Sequence, residues 1–246
     1  MADYLIHDST LEDIADAIRS KTGGSSLIAP EDMPTEIASI ETGGGIEIEN
    51  GIVFTELNSS GRPTKADIYG NVPMYAFGQY SASSVLGTNL TNVTFKTQLT
   101  EIGYGAFQKT GLTELIIPDS VDTVGGQVLR GNTAAIRYVH ENAGAKYGYN
   151  GGALSALAQI ASLASVQLGA IGKPVTALYY QFMTPRAYAS VTLTIYCIGS
   201  NVDSFLTQAR QAVTGGTIVF KASEATEYNG TSYAAGDTIL TSEVTS

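Results

Sequence analysis

An α+β fold is predicted for this chain of 246 residues: N-terminal short helices, a short body of stacked repeats, and a C-terminal α/β cap ending in a β-hairpin. Three observations predict it. Apolar residues keep helical spacing up to about residue 42 and change to short β-type runs from Ile52. The stretch 90–107 aligns on 112–129 at a constant shift. Near the C-terminus the order strand, helix, strand returns. Charged residues are 15 % while Gly, Ser and Thr are plentiful, which suits a β-rich body with many turns better than a helical bundle.

"HDSTLEDIADAIRSKTGG" opens the helical part with both helix ends written. Ser9 can cap the free amides, Glu12 three residues on can close a capping box, and Gly23 can supply the left-handed exit. Leu11, Ile14 and Ile18 form one narrow apolar stripe, with Ala15 and Ala17 beside it. In "APEDMPTEIASI" the residues Met33, Ile37 and Ile40 keep i, i+4, i+7 spacing, and Pro30 or Pro34 can occupy the first turn. Helices this short are marginal alone, so both stripes must be buried. Leu11, Ile14, Ile18, Met33, Ile37 and Ile40 are therefore expected to pack in a helical hairpin or a small bundle shared between chains.

"ETGGGIEIENG" then reads as a flexible joint, which gives four expected regions: a helical attachment and oligomerisation module at 1–42, a Gly-rich linker at 43–51, a repeat domain at 52–145 and a cap domain at 146–246. Within the repeats, Leu90 matches Leu112, Val93 matches Leu115, Phe95 matches Ile117 and Leu99 matches Val121. Ile102 further matches Val124, Gly103 matches Gly125 and Phe107 matches Leu129. An earlier partial copy pairs Val72, Ala76 and Phe77 with Ile102, Ala106 and Phe107 at a wider spacing. A period of this size means one strand and one turn or short helical segment per unit, stacked so that inward leucines cover each other. Leu112, Leu115 and Ile117 give the L-x-x-L-x-L signature of a leucine-rich repeat. So short a stack needs a cover at each end. Residues 52–70 are the expected first cover, and the last hundred residues the second.

That last region is expected to hold a helix at 152–169, strands in "VTALYYQF" and "ASVTLTIYCIG", and a helix capped at Asn201 with Phe205, Leu206, Ala209 and Val213 on one side. The strand "TIVFKA" follows, giving a right-handed βαβ crossover with parallel pairing. Asn229-Gly230 is a strong two-residue hairpin turn, and the closing hairpin is expected to cover an open sheet edge.

The net charge of −10 is concentrated at the start: residues 1–50 hold 11 of the 23 carboxylates but only Arg19 and Lys21 among the bases. Such a segment repels phosphate, so nucleic acid and anionic lipid are not expected partners. "GGALSALAQIASLASVQLGAIG" is too polar for a transmembrane helix, and "MADYLIHDST" has no basic n-region or apolar h-region, so neither membrane insertion nor a secretory signal is expected. Cys197 in "TLTIYCIG" reads as a small buried hydrophobe.

Little points to chemistry. His7 and His140 have no second histidine or cysteine at ligand spacing, so no metal site is expected, and each reads as a surface or half-buried side chain. No P-loop, nucleophile elbow, dinucleotide fingerprint or zinc-protease motif is present, and no cofactor is expected. Glu101, Glu114, Asp119 and Asp122 share one repeat region, but the two aspartates fall at turn positions where Asp is favoured for hydrogen bonds to the backbone. No catalytic residue is assigned. Fourteen tyrosines and no tryptophan leave aromatic candidates for recognition: Tyr75, Tyr80, Tyr104, Tyr147 and Tyr149 lie in or beside expected turns, as does Tyr138. Core filling is the competing reading for at least half of these.

The stretch 99–126 resembles the BspA type of leucine-rich repeat, whose units run "LT-x-apolar-x-IP-x-SV-x-x-IG-x-x-AF": "LTELIIPDSVDTVGGQVL" keeps nearly all of it and "LTEIGYGAF" supplies the Ala-Phe form. Separately, Ile14-Ala15-Asp16-Ala17-Ile18-Arg19, Lys21-Thr22-Gly23 and the element Pro30, Met33, Ile37 resemble a segment near the N-terminus of tail and baseplate-associated proteins of phages and prophages of Gram-positive hosts. "EYNGTSYAAGDTI" resembles the closing hairpin of such proteins. These resemblances imply a non-enzymatic structural component of a virion, assembled in the host bacterial cytoplasm. Its N-terminal helices would dock to other virion proteins as a homo-oligomer, a trimer being favoured, and its repeat body would project toward a host surface glycan or protein. A bacterial surface adhesin with BspA-type repeats is the alternative, and an envelope- or glycan-degrading tail enzyme a third reading.

Overall fold

The computed structural model describes Glu12, Ala15 and Asp16, then residues 46–48, 51–78, 86–142, 146–147, 157, 163–178, 183 and 190–245. The chain divides into two compact units, Met1–Ile46 and Glu47–Ser246. In the first, Glu12, Ala15 and Asp16 are helical, with Ala15 buried and the two carboxylates exposed. The expected docking residues Leu11, Ile14, Ile18, Met33, Ile37 and Ile40 lie outside the described residues.

At the boundary runs β1 (Ile46–Ile48), followed in the second unit by β2 (Ile52–Leu57), β3 (Pro63–Ile68) and β4 (Asn92–Phe95), joined as one sheet in chain order. β2 and β3 form an antiparallel hairpin whose loop is held by Asn58, its Oδ1 accepting from the amides of Ser60 and Arg62. β3 then runs parallel to β4. The hairpin thus closes one end of the stack and supplies its first parallel strand, as expected of residues 52–70.

Short strands and turns carry the stack onward: β5 (Glu101–Ile102), β6 (Glu114–Ile117), β7 (Thr123–Val124) and β8 (Ile136–His140). The shift read from the sequence is the spacing that pairs them, since Glu101 faces Thr123 and Ile102 faces Val124. The wider early copy pairs too, with a parallel bridge from Val72 to Ile102. Leu90, Leu99, Leu112, Leu115, Ile117 and Val121 are buried in one continuous core, and the rings of Phe77 and Phe107 stack within it at 5.2 Å. Gly103 and Gly125 are glycines because coils touch there. A Cβ on Gly103 would lie 2.5 Å from the Met74 nitrogen, and one on Gly125 would lie 2.3 Å from the Tyr104 nitrogen.

Beyond β8 the sheet continues through β10 (Leu163–Leu168), β12 (Val191–Cys197), β13 (Gly216–Ala222) and β16 (Thr238–Val244), in the order β6-β8-β10-β12-β13-β16. All neighbours are parallel except β16, which is antiparallel to β13. β9 (Lys146–Tyr147) and β11 (Ala177–Leu178) form a separate parallel pair. Two strands of the repeat region therefore belong to the same sheet as the C-terminal strands. β12, the helix Val202–Ala212 and β13 make the expected crossover with parallel pairing, burying Val202, Phe205, Ala209 and Ala212.

Four expectations are corrected. Residues 163–168, assigned to a helix at 152–169, form a strand: Leu163, Val166 and Leu168 are buried, and the gap between β8 and β12 is filled by extended backbone. Asn201 makes no side-chain cap bond, because a 3-10 turn at Gly199–Asn201 winds straight into the helix and gives Asn201 helical angles. The hairpin of β14 (Thr226–Tyr228) and β15 (Thr231–Tyr233) has its predicted turn, with Asn229 and Gly230 at φ 49° and 76°, but it does not cover the sheet edge. It packs against the start of the crossover helix, where Thr226 Oγ1 accepts from the Gly199 amide and Tyr228 donates to Asp203; β16 lies on β13 instead. Finally, Tyr138 and His140 are buried strand residues, because they pair with inward Leu115 and Ile117 and so point into the core.

Candidate recognition surface

At one corner of the stack a turn follows the inner ladder in each coil, and one turn position is left-handed every time. Tyr75, Gly105 and Gln127 occupy it at φ 55°, 62° and 55°. Glycine adopts this conformation without strain, whereas Tyr and Gln pay about 1 kcal/mol or more. The backbone fixes the three coils to one another: the Tyr75 amide donates to Tyr104 O, and the Gly105 amide to Gly126 O.

The side chains then interlock across coils. The Tyr75 ring lies over Gly105, where an added Cβ would sit 2.8 Å from its ring carbons. Its neighbour Tyr104 meets it edge-on at 5.5 Å between centroids. Tyr104 donates to Gln127 Oε1 at 2.5 Å, and Arg130 Nη1 donates to the same oxygen at 3.1 Å. Burial raises the Tyr104 hydroxyl above its ordinary range, Tyr75 adds to this, and Arg130 opposes it. Tyr104 therefore stays a neutral donor. Met74, 61 % exposed, stands beside Tyr75, so the surface offers thioether, aromatic edge and guanidinium over a rigid base.

Of the tyrosines singled out by sequence, Tyr75 and Tyr104 come together here. Tyr147 lies in β9 opposite Leu178, and Tyr80 and Tyr149 lie outside the described residues. Gln127 and Arg130 were missed. The signal was available in the self-alignment, where Gln127 falls on Gly105, a position that tolerates a side chain only for a reason.

The remaining chemical candidates are occupied structurally. Asp119 lies in the turn as expected and pairs with Lys173, Glu114 pairs with Arg137 at 2.5 Å, and Asp122 accepts from Asn142 Nδ2. His140 Nε2 donates to Val121 O, and burial lowers its pKa against the opposing pull of that bond, Asp119 and Asp122. Cys197 is the buried hydrophobe expected, its thiol pushed up to about 12. Among the described residues no group of His, Cys, Asp and Glu is placed to hold a metal, and no helix is long and apolar enough to cross a membrane.

Residues 71–139, which span the left-handed turns and the interlocked side chains, match the family model "BspA type Leucine rich repeat region (6 copies)". BspA-type leucine-rich repeats are present in this chain. Repeats of this type suggest a surface or adhesin-type repeat protein. No curated protein and no solved structure matches the chain.

Proposed function

We propose that this chain is a non-enzymatic structural component of a bacteriophage virion, in the tail, baseplate or a fibre. In this reading its repeat body presents the Tyr75–Tyr104 corner to a host surface glycan or protein. The observation that carries the recognition role is Tyr75: an aromatic residue held at φ 55° over Gly105, edge-on to Tyr104, with exposed Met74 beside it. Strain of this kind persists where the surroundings fix it and the exposed group has work to do. The particle role is supported by the resemblance of the segment from Ile14 to Ile37 to phage tail and baseplate proteins. In this reading residues 1–42 dock to other virion proteins, as a homo-oligomer and most naturally a trimer, and the protein's place is the assembled virion.

A bacterial surface adhesin is the second reading, favoured by the BspA-type repeats themselves. Three measurements separate and test the readings. Negative-stain imaging of particles carrying a tag at Ser246 is expected to show the tag on the tail, and deletion of residues 1–42 is expected to abolish incorporation. The virion reading fails if the deleted chain still enters particles and the purified protein stays monomeric at high concentration. Replacing Tyr75 and Met74 by serine is expected to weaken host-cell binding about tenfold or more, the loss of an interface hot spot. Unchanged binding by a folded variant would remove the corner from the mechanism under either reading.

A further inference from the structure

The stack is not equally closed on all sides. Along its inner ladder the coils are continuous, from Val72 to Ile102 to Val124. Along the outer strands they are interrupted, because β4 belongs to the sheet of β3 while β6 belongs to the sheet of β8. The two strands begin close together: a Cβ on Gly111, just before β6, would meet Leu90 O at 3.3 Å. At their far ends they leave a groove of about 310 Å3 lined by Phe95, Lys96, Gln98, Pro118, Asp119 and Ser120, with Thr97 completing the wall. Pro118 has no N–H, so strand pairing cannot continue past Ile117 on that side.

The chemistry of the groove is specific. Lys96, Thr97, Gln98 and Asp119 are exposed, and the half-buried Phe95 takes the place that buried Ile117 occupies one unit later. Lys96 is held by Asp67 at 3.1 Å and Asp119 by Lys173, so the charged heads at the groove are balanced and positioned. Ser120 Oγ accepts from the Leu99 amide at 3.3 Å, tying the two walls together. What results is an apolar floor of ring and pyrrolidine with an ammonium, a carboxylate, a primary amide and hydroxyls around it, and no net charge. Each charged head already has its counter-charge, so a charged ligand of either sign would have to displace one. A purely apolar one would strand the polar rim.

We propose that this groove binds a neutral saccharide, one sugar ring or the terminal ring of a longer chain. The C–H face of the ring would rest on Phe95 and Pro118, with its hydroxyls shared between Asp119, Gln98 and Lys96. The volume is at the lower end of the roughly 300–1,000 Å3 of small-molecule sites, which fits a single ring and not a folded partner. The site is separate from the Tyr75–Tyr104 corner and does not depend on where the chain is displayed.

The test is a titration of the full chain with methyl glucoside, methyl galactoside and N-acetylglucosamine, followed by the backbone amide resonances, with glycerol and trialanine as controls. At least one saccharide is expected to shift the amides of Thr97, Gln98, Asp119 and Ser120 saturably, with a Kd in the millimolar range usual for an open site. Gln98→Ala and Asp119→Asn, both at exposed positions, should each weaken that binding about tenfold or more, the loss of one well-placed polar contact. The proposal is overturned if no saccharide saturates by about 50 mM, if glycerol or trialanine shifts the same amides as strongly, or if either variant binds as well as the parent. Shifts confined to Tyr75 and Tyr104 would also overturn it, while supporting recognition at the other corner.

Discussion

The left-handed position recurring at Tyr75, Gly105 and Gln127 has a companion four residues on, where Lys109 and Gly131 sit at φ 54° and 78°. One site carries a strained residue and its repeat equivalent does not, so opposite substitutions should have opposite signs. Lys109→Gly is expected to stabilise by about 0.5–1 kcal/mol, and Gly131→Ala to destabilise by about 1–2 kcal/mol, both read as shifts in the urea midpoint. The self-alignment predicted buried leucines well because an inward side chain leaves a hydrophobic letter at a fixed spacing. It was silent on Tyr138 and His140, whose polar atoms argued for the surface while their strand register sent them inward. His140 gives a pH prediction. Its folded-state pKa lies below the ordinary 6.5, so as pH falls the unfolded chain takes up the proton first. Its contribution to stability is full above that value and declines below it, by at most about 1.4 kcal/mol per pH unit. Asp119 and Asp122 reduce the effect without reversing its sign. Between about pH 7.5 and 5.5, His140→Gln should flatten the stability profile relative to the parent; an unchanged slope would refute the assignment.

At the scale of elements, glycines decide how closely coils approach. Gly125→Ala would place a methyl 2.5 Å from the Gly103 carbonyl carbon, against backbone that cannot rotate away. A loss of about 3 kcal/mol is expected in chemical denaturation, as for other overpacked sites, with Gly103→Ala similar. The repeats, the crossover helix and the Asn229-Gly230 turn were legible because each has a local cause: periodic leucines, an amphipathic stripe, a pair of residues tolerant of positive φ. Residues 163–168 were not, since their alternation of small and apolar residues suits a helix face or a buried parallel strand equally, and the neighbours β8 and β12 decide between them. The groove beside Phe95 was illegible for a related reason. The sequence repeats smoothly from β4 to β6, and the interruption exists only in how the strands pair.

Across the whole second unit, a single six-stranded sheet joins repeat strands β6 and β8 to β10, β12, β13 and β16. Removing residues 143–246 would leave β8, still paired with β6, with its other edge open, which invites aggregation. A fragment of residues 47–142 is therefore expected to precipitate or self-associate, whereas the full chain should lose amide protection at Val139 and Leu193 at the same denaturant concentration. Separate transitions at these two residues would show that the repeats and the C-terminal strands fold independently. The strand order of this sheet also has a meaning in time. Each strand docks on the free edge of the sheet's preceding strand, so spatial order follows the order of synthesis from β6 to β16. A nascent chain can build this sheet as it leaves the ribosome, each new strand finding its template already in place. It never has to wait for a distant segment, and the antiparallel β16 adds to β13 only after the β14–β15 hairpin has turned the chain back.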